Sequence, residues 1–519
     1  MNPARKQACS GSMTVMKTSM HPRVPWRSCT RPSTCCGAPS TGRDGHVGDK
    51  DARQRRAAGH QFRRLDGDFV SRSHEGEQNT PMRRTILIAL LFALPAEAAK
   101  YALRGTVVTP EDVIVNGIVV VDGNTIADVV TTPPAGMTVI DTGGLIFPGL
   151  IDLHNHVTWN AFPRWRAKRA VTARYDWLAD PDYLATLNAP HGQVVKTNPC
   201  DLERYGEVKA MVNGATAIAG SLDDPCDKGL IRNIDYDPGF AGKAPAQYRV
   251  FPFELDAAKD TEGIVRKALA DGTNVIIHLA EGITESTRRE LNMLKAHGFM
   301  TRGLIAIHGV ALNANDFVAL KKAEVGLVWS PRSNLELYGT TVDLKAALGA
   351  QLSIAISPDW SPSGSAGMIP EMTYAWRWLE DVDTPLTAKN IVEMATVNPA
   401  ALIGDKTGRI EKGYAADLLV VARQSRGESY ETLLETEPAG VKLVVVGGKP
   451  LYGDAALLAK VNPAAKTEPI TVCGAAKVID MSDSDDGKGI TWAATRANLS
   501  AAMSKLSPPV ALAELVDCR

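Results

Sequence analysis

No two cysteines in this chain stand at CxxC spacing, which argues against a thiolate-bound metal of the zinc-ribbon kind. The apolar run Thr85–Leu94 covers 10 residues, against the roughly 20 that a helix needs to span a bilayer. Neither sign of charge dominates, with 57 Lys and Arg against 58 Asp and Glu. The balance is uneven along the chain: residues 1–81 carry 14 basic and 7 acidic side chains, leaving 43 against 51. A mildly acidic remainder argues against a nucleic-acid surface. With 519 residues and 45% hydrophobic content, there is material for a large core and a satellite domain.

What stands out is Gly149-Leu150-Ile151-Asp152-Leu153-His154-Asn155-His156, an apolar run ending in two histidines one residue apart. In a strand, residues i and i+2 project to one face, so both imidazoles leave the strand end on the same side. That arrangement suits two nitrogen ligands of one divalent metal. Further apolar runs end in the same way. Val275-Ile276-Ile277-His278 is followed by Leu279-Ala280-Glu281, Leu304-Ile305-Ala306-Ile307-His308 by Gly309, and Leu352–Ser357 by Pro358-Asp359. Short apolar runs bounded by a polar residue read as buried parallel strands. Polar residues at their C-terminal ends fall on the catalytic face of a (β/α)8 barrel. Strand-like and helix-like segments alternate between the chain ends, which also favours a parallel sheet with crossover helices.

The remaining strands are expected at Ala215–Ala219, near Gly229–Ile231, at Tyr248–Phe253 and at Val325–Trp329. Runs punctuated by Asp-Gly and Asn-Gly between Tyr101 and Ile140, and a matching set from Asp417 to Pro450, are expected to pair into one small β-sandwich. The fold class is therefore α/β: a (β/α)8 TIM-like barrel with a small β-sandwich domain built from both chain ends. The segments are 99–145 and 406–454 for the sandwich, 146–405 for the barrel, and 455–519 for a C-terminal extension. The long aromatic stretch Trp159–Pro199 reads as an elaborated loop and helix over the barrel mouth.

From Tyr101 to Asp454 the chain resembles the amidohydrolase superfamily, in the branch of cytosine deaminase, guanine deaminase and the triazine hydrolases. The resemblance rests on His154-Asn155-His156, His278-Leu279-Ala280-Glu281, His308-Gly309-Val310, Ser330-Pro331-Arg332-Ser333-Asn334-Leu335 and Pro358-Asp359-Trp360-Ser361-Pro362-Ser363-Gly364. Ala395–Ala400 and Gly408–Leu418 resemble the closing segment of that family. It implies one zinc per chain, with iron as the alternative, held by His154, His156, His278 and Asp359. A binuclear member would carry a carboxylated lysine on strand 4, and Tyr248–Leu255 contains none. The metal would bring the pKa of its water towards neutrality.

Asp359 would both touch the metal and take a proton from the water, His308 would orient the attacking hydroxide, and Glu281 would act as general acid–base. Arg332 and Asn334 are expected either to bind a substrate carboxylate or carbonyl, or only to fix their loop. Trp329, Trp159 and Trp360 would wall a planar substrate or merely pack. His191 and His297 lack strand-end placement and are not expected as ligands. The expected activity is hydrolysis of carbon–nitrogen bonds other than linear peptide bonds, by deamination of a small planar molecule. A hydrolase of a cyclic amide or a peptide-like amide, a hydrolase that releases halide, and a catalytically silent binding protein are the alternatives. The partner is a small-molecule substrate, with no nucleic acid; a homo-oligomer is left open.

Met82-Arg83-Arg84, the apolar run and Pro95-Ala96-Glu97-Ala98 read as a secretory signal peptide over 82–98, cut after Ala98. The expected location is periplasmic or secreted, with no stable membrane anchor after cleavage. Residues 1–81, rich in Arg, Ser, Pro and Gly, read as an over-extended start before Met82 or as a disordered region. Cys200, Cys226, Cys473 and Cys518 follow the leader. Their even number permits disulfides, and sequence order favours Cys200–Cys226 and Cys473–Cys518 among three connectivities.

Overall fold

A computed structural model describes residues 100–518 except 223–225, 227–229, 237–245, 250–251, 253–258, 425–428 and 485–488; of 246–249 and 259–261 it describes the backbone alone. The leader and the segment before it lie outside the described residues, as do Gly229, Phe251 and Phe253 of the expected strands.

Four strands open the described chain: β1 (Lys100–Val108), β2 (Val113–Asp122), β3 (Thr125–Val130) and β4 (Val139–Pro148). Eight short strands follow: β5 (Leu150–Asp152), β6 (Ala215–Ile218), β7 (Arg232–Asn233), β8 (Ala246–Arg249), β9 (Asn274–Leu279), β10 (Leu304–His308), β11 (Gly326–Trp329) and β12 (Ile354–Ile356). The last group is β13 (Leu418–Ala422), β14 (Val441–Val446), β15 (Lys449–Gly453), β16 (Thr467–Val472) and β17 (Ala475–Asp480).

The short strands form two parallel sheets in chain order, β5-β6-β7 and β8-β9-β10-β11-β12. Parallel neighbours need crossovers, and helices such as Pro199–Val212, Lys259–Ala270 and Ala314–Lys322 supply them. Every residue of β5, β6, β10, β11 and β12 is buried, and of β9 all but Asn274, which is why β9, β10 and β11 read as apolar runs. Alternate residues go to different clusters: Val275 and Ile277 to one, Ile276 to another. Beyond β5, the His156 amide donates to Asp359 O at 3.0 Å and the Asp359 amide to His154 O at 3.0 Å. The first and last of the parallel strands are thus joined just past their C-terminal ends.

Strands from both chain ends hydrogen-bond into one nine-stranded sheet, ordered β16-β17-β15-β14-β13-β4-β1-β2-β3. The two ends meet where β13 pairs antiparallel with β4, Val420 opposite Ile146. Leu145, Phe147, Leu419 and Val421 face the main core, while Ile146, Leu418 and Val420 join Leu103, Val119 and Leu443 in a second cluster. In its hydrogen bonding the expected sandwich is therefore a single sheet with two buried faces. It also runs past residue 454, because β16 and β17 extend it beside β15. The C-terminal extension is in part a continuation of the sheet. Its helix Trp492–Ser504 reaches the crossover helix Pro199–Val212, with Trp492 stacked on Tyr205 at 5.6 Å.

Two disulfides join Cys200 to Cys226 and Cys473 to Cys518, the pairing that sequence order favours.

Candidate active site

His154 follows β5 directly, and its imidazole is wholly buried. Nδ1 lies 2.8 Å from Ser330 Oγ, and Nε2 points at Asp359 Oδ1 across 3.1 Å. His156 Nε2 lies 3.3 Å from the same oxygen, and its side chain is 27% exposed where its neighbours are nearly sealed. The His278 ring sits 5.0 Å from that of His154 and 5.5 Å from that of His156. The candidate ligand atoms of His154, His156 and His278 lie within 4.8 Å of one another, as do those of His154, His308 and Asp359. His278, Glu281 and His308 form a third such group.

The backbone is bent to bring these groups together. Ala280, His308 and Asp359, each at or just beyond a strand end, have φ of 53°, 68° and 69°. Left-handed backbone at a non-glycine residue costs of order 1–3 kcal/mol, and such residues cluster at active sites. Where β6 ends, Gly220 has φ 99° and passes so close to Asn155 that a Cβ would stand 1.8 Å from its carbonyl oxygen.

Burial holds the His278 imidazole well below its ordinary pKa, with the neighbouring histidines adding to the effect. Burial also lowers His154 and His308, against the opposing pull of Asp359 and Glu281 respectively. Burial by itself would raise Asp359, but His154 and His156 outweigh it and hold the carboxyl well below its usual range. Neutral imidazoles beside an ionised carboxylate are the protonation state that a divalent metal requires of its ligands. His154 Nε2 is buried, and the oxygen it faces at 3.1 Å, Asp359 Oδ1, is itself a member of the cluster. The donor set therefore fits a metal: three imidazoles and one carboxylate oxygen, with zinc chemically apt.

The surrounding hydrogen bonds fix which atoms face the cluster. Ser333 Oγ lies 2.6 Å from Asp359 Oδ2, leaving Oδ1 to the histidines. His308 Nδ1 lies 2.8 Å from Asn334 Oδ1, and Asn334 Nδ2 donates to Thr341 Oγ1. An oxygen facing Nδ1 makes that nitrogen the protonated one, so Nε2 carries the lone pair. Glu281 Oε2 lies 3.7 Å from His308 Nε2, and Oε1 accepts from Tyr338 OH at 2.6 Å.

For three of the residues considered for substrate contacts, the structure gives the partners. Ser330, Ser333, Asn334, Leu337 and Tyr338 are spaced as one face of a helix, and Pro331–Tyr338 is helical. Arg332 falls off that face. Its guanidinium reaches Asp517 at 3.2 Å and lies 5.7 Å from the Tyr374 ring centre. It lines a cleft of about 530 Å³ with Arg164, Tyr374 and Trp378, to which none of the clustered histidines contributes. Asn334 presents its Oδ1 to His308 Nδ1 at 2.8 Å. Trp329 is sealed in β11, its indole donating to Thr341 Oγ1 at 2.7 Å. Trp360, by contrast, lies 5.8 Å from the His156 ring and 5.5 Å from Trp159.

Trp159 stacks on buried His191 at 3.6 Å, and burial pushes His191 down to about 3. His297 pairs with Glu262 at a helix end, far from these roles. Sequence reasoning missed Ser330, Ser333, Tyr338 and Trp177. The helical spacing from Ser330 onward was the signal for the first three.

Residues 145–451 match the amidohydrolase family. The chain is 26% identical over 349 residues to a 5'-deoxyadenosine deaminase of Methanococcoides burtonii, covering 60% of this chain and 80% of that protein. It is 34% identical over 170 residues to a 5-methylthioadenosine/S-adenosylhomocysteine deaminase of Pyrococcus furiosus, 30% of this chain and 40% of the relative. In fold it is similar to an adenosine deaminase from Xanthomonas campestris with bound zinc, with TM-score 0.55 and 20% identity over 71% of this chain and 98% of the other. An atrazine chlorohydrolase from Arthrobacter aurescens TC1 complexed with zinc gives TM-score 0.55 and 18% identity, covering 68% and 95%.

Proposed function

The chain belongs to the amidohydrolase family, and from that membership we propose that it hydrolyses the exocyclic C–N bond of a small planar aminated heterocycle and releases ammonia. The adenosine-like substrates of the deaminase relatives are the first class to consider. One observation carries the reading. Glu281, His308 and Asp359 each stand within reach of a buried three-histidine cluster, and each is held by a partner that fixes the oxygen or nitrogen it presents.

Zinc is the metal we propose, held by His154, His156, His278 and Asp359, with iron as the alternative. A divalent ion there would supply Lewis acidity and a water acidified towards neutrality. Asp359 Oδ1 is placed to take a proton from the attacking water. Glu281 Oε2 is placed to pass one to the ring and the leaving nitrogen. His308 Nε2 orients the incoming oxygen. Trp159 and Trp360 would flank a flat ring above His156 and keep bulk water out.

We also propose that the eight parallel strands close into a (β/α)8 barrel, a reading that the join between His154–His156 and Asp359 supports. Export after cleavage at Ala98 is a further proposal; the two disulfides suit an oxidising compartment.

The test follows ammonia release and ring absorbance in parallel. The panel holds adenosine-like nucleosides, free aminated heterocycles, chlorinated triazines, and cyclic and linear amides. Deamination of a heterocycle is expected. Activity confined to the amides or triazines would replace deamination with another hydrolysis, and a metal-loaded but inert protein would favour a binding role.

A further inference from the structure

The mouth segment is tied to the loop that carries Glu281. Thr172 O accepts from the Ile283 amide at 2.7 Å, and the Arg174 amide donates to Glu281 O at 3.2 Å, so residues 172–174 are laced to the loop that carries Glu281. Three residues on, Trp177 Nε1 donates to Tyr338 OH at 3.0 Å, and Tyr338 OH lies 2.6 Å from Glu281 Oε1. Trp177 is anchored in turn against Trp360 at 5.7 Å and Tyr183 at 5.1 Å.

The polarity of this relay follows from chemistry. An indole N–H can only donate, so the Tyr338 oxygen must accept from Trp177. The phenolic proton is then directed to the carboxylate. Burial pushes the Tyr338 phenol well above its ordinary range, so it keeps that proton. Oε1 of Glu281 is thereby occupied, while Oε2 faces His308 Nε2 at 3.7 Å and the buried Arg174 Nη1 at 3.9 Å, both beyond hydrogen-bond range.

We propose that Tyr338, oriented by Trp177, is a positioning residue that selects Oε2 of Glu281 as the oxygen that handles protons. The proposal deepens the deaminase reading and rests on Glu281 acting as the acid–base group. Without the phenol, the carboxylate can turn about its terminal bond and present either oxygen, or neither, to substrate. Through Trp177, the same contact ties correct placement of Glu281 to a seated mouth segment.

Two measurements on the zinc-loaded full-length protein test this. Crystal structures of Tyr338→Phe and Trp177→Phe should show the Glu281 carboxylate rotated away from His308, with the histidine cluster unmoved. A carboxylate that stays in place in Tyr338→Phe would overturn the proposal, whatever the substrate. Kinetics with a heterocycle that the screen shows to be deaminated supplies the second readout. Tyr338→Phe should lower kcat roughly ten- to hundredfold, with KM held within about twofold. In a Glu281→Gln background the same change should cost nothing further, because its effect passes through that carboxylate. Additive losses, or an unaltered kcat in Tyr338→Phe, would sink the positioning role. Full activity in Glu281→Gln alone would instead sink the acid–base reading on which it stands.

Discussion

Ser333 Oγ lies 2.6 Å from Asp359 Oδ2, and Asp359 Oδ1 faces His154 Nε2 at 3.1 Å and His156 Nε2 at 3.3 Å. The hydroxyl thus divides the two oxygens of one carboxylate between a structural and a functional task. Ser333→Ala should weaken metal affinity or turnover by roughly ten- to hundredfold, the usual effect of losing a partner to a metal ligand. Chelator competition on protein loaded to one equivalent of zinc measures the first, and ammonia release the second. Unchanged values for both would remove Ser333 from the site.

Asn334 offers its carbonyl oxygen to His308 Nδ1, which keeps the lone pair on Nε2. Asn334→Leu should cut kcat by roughly one to two powers of ten while zinc content stays near wild type. A variant that loses zinc in proportion to activity would show that Asn334 supports the ligand set and not His308 alone.

Lys209 is buried, and its Nζ donates to Asn160 O at 3.0 Å and to Ser361 Oγ at 3.1 Å, joining the loops that follow His156 and Asp359. Burial pushes its amine down to about 7; Asp517 opposes the shift and Arg164 adds to it. Below that pH the amine is charged both folded and unfolded, so no slope arises. Between about 7 and 10.5 the unfolded chain binds more protons, and stability gains up to about 1.4 kcal/mol per pH unit from this group. Lys209→Met should lack that rise when urea unfolding is compared with wild type across the interval. Parallel pH profiles would refute the assignment.

Cys518 ties the end of the chain to Cys473 across 45 residues. The tail between them also meets segments next to the parallel strands, with the Ala513 amide on Ala161 O at 2.9 Å and Asn213 Nδ2 on Leu515 O at 3.1 Å. A loop of that length implies up to about 4 kcal/mol lost in Cys518→Ser. Calorimetry should show a lower Tm. Denatured, unreduced mature protein should show no free thiol among Cys200, Cys226, Cys473 and Cys518.

Much was legible in the sequence because each strand of a buried parallel sheet writes its end locally. An apolar run must stop where its chain leaves the core, so His278 and His308 were visible as the first polar residues after such runs, and His154 two residues beyond the Asp152 that interrupts its own. Asp359 was visible just beyond its own run. Order along the chain also favoured the disulfide pairing. The strand near Gly229 was placed slightly early, since β7 is only Arg232–Asn233 and two residues carry almost no pattern.

Tertiary structure decided what a list of strand ends cannot contain. Arg332 stands between two site residues in sequence, yet helical periodicity turns it away towards Asp517. Tyr338 lies 57 positions from Glu281 and still touches it. Ser333 meets Asp359, and Trp177 meets Tyr338, only because segments far apart in the chain converge beyond the ends of the parallel strands. The sequence by itself determined which groups could bind a metal and move protons, since those depend on residue type and strand period. Which oxygen or nitrogen each group presents depends on partners far away in the chain, and only the packed fold brings them within hydrogen-bond range.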